Sequence, residues 1–211
     1  MIVTVRPLTP ARWPDLEKVF EAKGCSIARG CWCMYYRETG QPQGPAGIKP
    51  AALRKTRLRA LAEADPPPGL IGYSGTKPVG WVALAPRSEY LKLRRSPVMK
   101  PVDDKPVWSV ICFVVPTEFR HQGVASALLQ GAIAYARKRG AQLLEAYPID
   151  KKLNLRIQDE LAERWLEALG NRRILAPHRE RAGRKRLPLG PAGQAAQLGV
   201  DLGSDLVGII G

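Results

Sequence analysis

Apolar and polar residues alternate over residues 2–6 (IVTVR), the period-two pattern of a strand with one buried face, here read as a sheet edge. Over residues 11–22 the period lengthens to that of a helix. Leu16, Val19 and Phe20 share one side, Thr9 stands ready as a cap, Pro14 fits the first turn and Gly24 closes it. A second helix is predicted over 50–64, with Pro50 at its start, Leu53, Arg57 and Leu61 on one side, and a triple proline at 66–68 to stop it. Residues 70–74 and 79–85 read as a hairpin around Gly75-Thr76-Lys77-Pro78. Residues 108–115 (WSVICFVV) are almost continuously apolar and rich in β-branched side chains, as in a strand buried on both faces. A helix then runs from near Gly123, with Leu128, Ala132, Tyr135 and Ala136 at helical spacing. Arg137, Lys138 and Arg139 complement its negative end and Gly140 caps it. Residues 141–147 form another strand, so strand, helix and strand make a parallel βαβ unit.

Two stretches carry little periodicity. Residues 24–50 are rich in Gly, Pro and Cys, with room for a short helix, and residues 86–106 are polar, basic and proline-containing. Loops this long are usually functional. Beyond Pro148 the pattern weakens to one candidate helix, 155–169, with Leu161, Trp165 and Leu169 in register. Residues 171–186 hold seven Arg or Lys against one acid, and residues 187–211 hold six glycines and no basic residue. That break predicts a single domain over 1–186 and a Gly-rich tail, 187–211, outside its core.

The composition changes this picture in three ways. With 211 residues, 45% hydrophobic and 25% charged, the chain buries an ordinary core, and wholesale disorder is excluded. Its longest nearly unbroken apolar run, 107–115, is far short of the ~20 residues that span a bilayer, and MIVTVRPLTP lacks a secretory pattern, so a cytoplasmic protein with no membrane partner is expected. The 33 basic residues against 19 acidic ones give +14, which favours anionic partners such as phosphorylated cofactors, nucleic acid or acidic proteins.

The four cysteines read as free thiols. Cys25, Cys31 and Cys33 form C-x5-C-x-C, not a finger spacing, and the only histidines, His121 and His178, are remote in sequence. Small buried hydrophobes are the preferred reading, and no metal is expected. Trp32, Met34, Tyr35 and Tyr36 line either an acceptor pocket or the core, with the core preferred. Cys112 lies mid-strand among apolar residues, where nothing lowers its pKa, so it is rejected as a nucleophile.

The richest chemistry lies at 120–126. A helix beginning near Gly123 exposes about four unpaired amides, yet its entry residues are Arg120-His121-Gln122-Gly123, with no carboxylate in the first turn. The positive end of the dipole has no internal counter-charge and suits a phosphate or pyrophosphate. Gly123 permits close backbone approach and Ala125 keeps the next position small. An ordinary strand-to-helix turn on a basic surface fits the same residues equally well. The sequence is neither a Walker loop nor a dinucleotide fingerprint.

Arg120-His121-Gln122-Gly123-Val124-Ala125 resembles the R/Q-x-x-G-x-G/A signature of the GCN5-related N-acetyltransferase (GNAT) superfamily. The flanking strands and helix, the upstream hairpin in GYSGTKPVGWVALAPRSEY and the opening VRPLTPARWPDLEKVF resemble it too, and GCWCMYYR is similar to a segment of one bacterial branch. The resemblance implies an α/β mixed sheet whose central parallel β-α-β unit, flanked by helices, holds acetyl-CoA as co-substrate. The pyrophosphate would rest on the amides of Gln122, Gly123, Val124, Ala125 and Ser126, with Arg120 and His121 beside it. The pantetheine arm would pair with the strand end at Phe113, Val114 and Val115, where the parallel strands splay. A small-molecule or peptide amine would then attack the thioester directly, and a homodimer is left open.

The sequence departs from the superfamily in its acid and base. WSVICFVV carries no carboxylate, and Leu166 and Asn171 stand where a Tyr and the Phe of a Gly-Phe pair are usual. The catalytic residues are thus unassigned, and Glu118, Glu145, Tyr147, Asp103 and Asp104 are positional candidates only. Two alternatives stand beside an N-acetyltransferase. One is a non-catalytic acyl-CoA-binding module. The other is a nucleic-acid-binding protein using 171–186, disfavoured because its arginines lack interleaved aromatics.

Overall fold

The structure, a computed structural model, describes residues 1–96, 99, 101, 103–146 and the backbone of 185–188. Six strands form one sheet in chain order: β1 (Thr4–Pro7), β2 (Gly69–Ser74), β3 (Lys77–Pro86), β4 (Trp108–Val114), β5 (Leu143–Ala146) and β6 (Lys185–Pro188). The first four are mutually antiparallel, β4 and β5 run parallel, and β6 returns antiparallel to β5. The sequence pattern predicts no strand at 185–188, and β6 straddles the expected boundary between domain and tail. The candidate helix at 155–169, Tyr147 and the rest of the basic run and tail lie outside the described residues.

One sheet face packs against the long helix α5 (Val124–Lys138), which lies across β1, β2 and β3. Its buried stripe, Val124, Leu128, Leu129, Ala132, Ile133 and Ala136, meets Leu70, Val79, Val82, Val110 and Phe113. Approach is close at Gly80, where a Cβ would come within 2.9 Å of both Leu128 and Val124. The other face is covered by α1 (Trp13–Glu21), α2 (Ser26–Cys31), α3 (Pro50–Leu61) and α4 (Leu91–Arg95). Trp32, Phe20 and Trp13 stack there, with centroids 4.6 Å apart for Phe20–Trp32 and 5.8 Å for Trp13–Trp32. Trp32, Met34 and Tyr36 are thus core residues, as preferred from sequence, whereas Tyr35 is exposed.

Local readings need two corrections. The hairpin turn is only Gly75-Thr76, because Lys77 already pairs with Ser74 and Pro78 with Tyr73 beside a bulge, where a strand tolerates proline. Residues 26–31 form the short helix for which the 24–50 loop left room. In α3 the buried positions are Leu58 and the following Ala62, not a Leu53–Arg57–Leu61 side. Arg54 and Arg57 instead converge on the nearly buried Glu38 carboxylate at 3.0 and 2.7 Å, and that ion pair sets the helix rotation.

Candidate active site

Among the described residues the parallel pair spans three positions. Trp108, Ser109 and Val110 register with Leu144, Glu145 and Ala146, and β4 then continues through residues 111–114 beyond the last pair. On its other side β4 stays zipped to β3, with Trp81 opposite Val114 and Val82 opposite Phe113. Among the described residues the β5 pairing reaches Val110, and Phe113, Val114 and Val115 follow toward the loop that opens α5.

Pro116 ends β4, a single 3-10 turn (Thr117–Phe119) follows, and the chain enters α5 through residues 120–123. His121 and Gly123 both take left-handed backbone conformations, with φ of 60° and 78°. A non-glycine residue in that region is uncommon, and such strain gathers at functional loops. Gly123 is the N-cap of α5, no side chain caps the helix and no acid lies in its first turn. His121, Gln122 and Gly123 are exposed, and a Cβ on Gly123 would meet nothing within 4 Å. Val124 is buried and anchors the helix, while Ala125 and Ser126 are half-buried.

Arg120 does not stand free. Its Nε donates to the Val115 carbonyl at 3.2 Å and its Nη2 to the Gly24 carbonyl at 3.0 Å. The Thr117 amide also donates to the Lys23 carbonyl at 3.0 Å. The loop that opens α5 is thereby tied to the turn after α1, a contact spanning most of the described chain. The Gln122 side chain donates from Nε2 back to the Glu118 carbonyl at 2.6 Å.

The positional acid and base candidates do not gather here. Glu118 is exposed and 3.4 Å from Lys77. Glu145 is fully buried, bonded to the Arg87 guanidinium and accepting from the Ser109 hydroxyl at 2.8 Å. Asp103 accepts from the Lys105 amide on the surface, at 3.1 Å, and Asp104 is exposed.

The two long loops meet over the α1 side of the sheet. The Lys92 amide donates to the Tyr36 carbonyl at 3.0 Å, and the Lys92 ammonium sits 3.2 Å from the Tyr35 ring centroid. Arg37 pairs with Glu89 and lies over the Tyr90 ring at 4.8 Å. Beneath them are Cys33 and Cys112, with the Cys33 thiol pushed well up by hydrogen bonding to Cys112 and by burial. All four cysteines are free, and among the described residues no cluster of three His, Cys, Asp or Glu side chains could hold a metal. No helix among them is long and apolar enough to cross a membrane.

A mixed sheet with one parallel pair, flanked by helices on both faces, defines an α/β protein. The particular family follows from sequence: the model described as "Acetyltransferase (GNAT) family" matches residues 32–156, more than half the chain, and the chain belongs to that family of acyltransferases. No curated protein matches it. Among solved structures, a Corynebacterium glutamicum protein described as histone acetyltransferase HPA2 and related acetyltransferase is 18% identical at a TM-score of 0.50, covering 93% of this chain and 100% of that one. PaiA N-acetyltransferase from Thermoplasma acidophilum, solved with coenzyme A, is 14% identical at a TM-score of 0.43, covering 77% and 89%. A GCN5-related N-acetyltransferase from Kribbella flavida is 18% identical at a TM-score of 0.40 over 76% of this chain, which spans only 32% of that protein. At these identities the likeness is one of fold.

Proposed function

We propose that the chain transfers an acetyl group from acetyl-CoA to an amine, by direct attack in a ternary complex. The observation that carries this reading is the start of α5, where the N-cap makes no side-chain hydrogen bond, no acid lies in the first turn and a Cβ on Gly123 would meet nothing within 4 Å. Amides from Gln122 to Ser126 would hold the pyrophosphate. His121 would border it, and Arg120 would fix the loop from behind. The backbone edge at Phe113, Val114 and Val115 would take the pantetheine amides as an added strand. Bound acetyl-CoA supplies an activated thioester. A backbone N–H near Val114 would polarise its carbonyl. An alkylamine has a pKa near 10.4, so a base or a water chain would have to take its proton; β4 bears no carboxylate and Glu145 is held in its ion pair.

Acetyl-CoA should raise the melting temperature by mass action. Gly123→Asp should abolish the rise, because its carboxylate would cap the amides and repel phosphate. No shift at millimolar acetyl-CoA overturns the proposal. The missing carboxylate on β4 also favours a second reading, a module that binds acyl-CoA without turning it over. It gives the same thermal shift but no thiol release with any amine.

A further inference from the structure

The loop that opens α5 carries backbone strain at His121, a non-glycine residue with φ of 60°. Such a conformation persists only where its neighbours over-determine it. The residues on either side supply that restraint. Arg120 reaches the Val115 and Gly24 carbonyls, and Gln122 reaches the Glu118 carbonyl. Val115 and Glu118 belong to the same stretch of chain, whereas Gly24 lies 96 residues from Arg120.

Packing at Gly24 is as close as the bonding. Its φ is 85°, and a Cβ there would stand 2.0 Å from Thr117 Oγ1, 3.3 Å from Thr117 Cβ and 3.0 Å from Arg120 Nη2. The Thr117 amide also donates to the Lys23 carbonyl at 3.0 Å. Both ends of 117–120 therefore press on two adjacent residues, an approach that glycine admits because it has no side chain. Gly47, in the same 24–50 segment, provides the contrast. It has the same φ of 85°, yet a Cβ there would meet nothing within 4 Å. At 47 only the left-handed turn asks for glycine; at 24 the contact with Thr117 and Arg120 asks for it too.

The tie also reaches onward. From Gly24 the chain passes through α2 to Tyr36 and Arg37, which bond to Lys92 and Glu89 of the 86–106 loop. Gly24 lies outside the residues that the family model matches.

We infer that Gly24 is a positioning residue of the acetyl-CoA site: by seating Thr117 and Arg120 it sets the shape of residues 120–123, and through it cofactor binding is energetically coupled to the start of the 24–50 segment. The inference rests on the acetyltransferase reading and adds to it a residue remote from the loop in sequence.

The test measures the Kd for acetyl-CoA by titration calorimetry in the full chain and in Gly24→Ala and Gly47→Ala. Both variants carry the same left-handed strain, so both should melt lower than the parent. Only Gly24→Ala should raise Kd, by about tenfold, the size of coupling between touching residues. Adding Thr117→Ala to Gly24→Ala removes the hydroxyl from the clash and should recover roughly threefold or more of that loss, although the backbone strain stays. A glycine needed only for its turn would not be rescued in this way. Amide exchange in the parent provides a reading that does not depend on Gly24→Ala folding. By the reciprocity of coupled sites, acetyl-CoA should slow exchange over residues 25–32 as well as over 117–126. Equal Kd values for Gly24→Ala and Gly47→Ala, no recovery in the double variant, or unchanged exchange over 25–32 overturns the inference. A parent chain that binds no acetyl-CoA instead overturns the acetyltransferase reading.

Discussion

Two glycines isolate what the ligand site asks of a single residue. Gly123 and Gly140 have φ of 78° and 79°, and a Cβ at either would meet nothing within 4 Å. Alanine should therefore cost each about 1–2 kcal/mol of left-handed strain, a fall of roughly 2–8 °C in melting temperature. Gly140 closes a Schellman cap, with its amide on the Arg137 carbonyl and the Ala141 amide on that of Ala136. Only Gly123 faces the proposed pyrophosphate, so Gly123→Ala should lose most of the acetyl-CoA thermal shift and Gly140→Ala none. Equal losses would show that the shift reports stability alone. Tyrosines give a second residue-level expectation. Burial, aided by neighbouring Tyr35, pushes Tyr36 up to about 12 from its ordinary 10.0, and burial with the Asp15 hydrogen bond does the same for Tyr73. The unfolded chain loses these protons near pH 10 while the folded chain keeps them. Their contribution to stability is thus complete below pH 10 and disappears as the pH rises to about 12. Melting temperature and absorbance at 295 nm, followed across that window, should fall and rise together; ionisation of every tyrosine near pH 10 without loss of stability contradicts the assignment.

Among elements, the entry to α5 depends on a partner far away in the chain. Arg120 bridges the Val115 and Gly24 carbonyls, holding the strand end, the loop and the turn after α1 in one arrangement. Its effect on cofactor binding runs through loop geometry, which makes it a positioning residue. Arg120→Ala should cost about 1–2 kcal/mol, seen as a drop of roughly 2–8 °C, and should weaken acetyl-CoA binding further than Gly140→Ala at matched stability. Arg120→Lys should fail to rescue binding, because one ammonium lacks the planar fork that reaches both carbonyls. Recovery of the full thermal shift by lysine would show that only the positive charge matters. None of this is visible in the RHQG segment itself, since the partner, Gly24, is identified by sequence only as the end of a helix.

Across the whole molecule, legibility follows how local the deciding interaction is. β4, α5 and β5 were readable because one continuous apolar run and one amphipathic stripe specify them, and the uncapped helix start was readable because the residues missing from it are adjacent in sequence. The face of α3 was misread because Glu38 sets it from outside the helix, and the ion pair that joins the two long loops was invisible because Arg37 and Glu89 lie 52 residues apart. The same reason hid the role of Glu145. From sequence it is one acid among several at a strand end. In the fold it is wholly buried and joins β5 to Arg87, whose guanidinium also donates to the Leu93 and Met99 carbonyls and so holds the 86–106 loop against the sheet. Glu145→Gln leaves Arg87 charged and buried, a loss of about 3–5 kcal/mol, which is a large part of an ordinary domain's stability. Replacing both partners, Arg87→Met with Glu145→Leu, should recover much of that loss, because no buried charge then lacks its counter-ion. Loop attachment is a separate matter, since methionine cannot donate to the two carbonyls. The double variant should therefore regain its unfolding midpoint in urea while amide exchange over residues 91–96 stays faster than in the parent chain. A single variant within about 0.5 kcal/mol of the parent would mean that Glu145 is not the charged anchor of this loop.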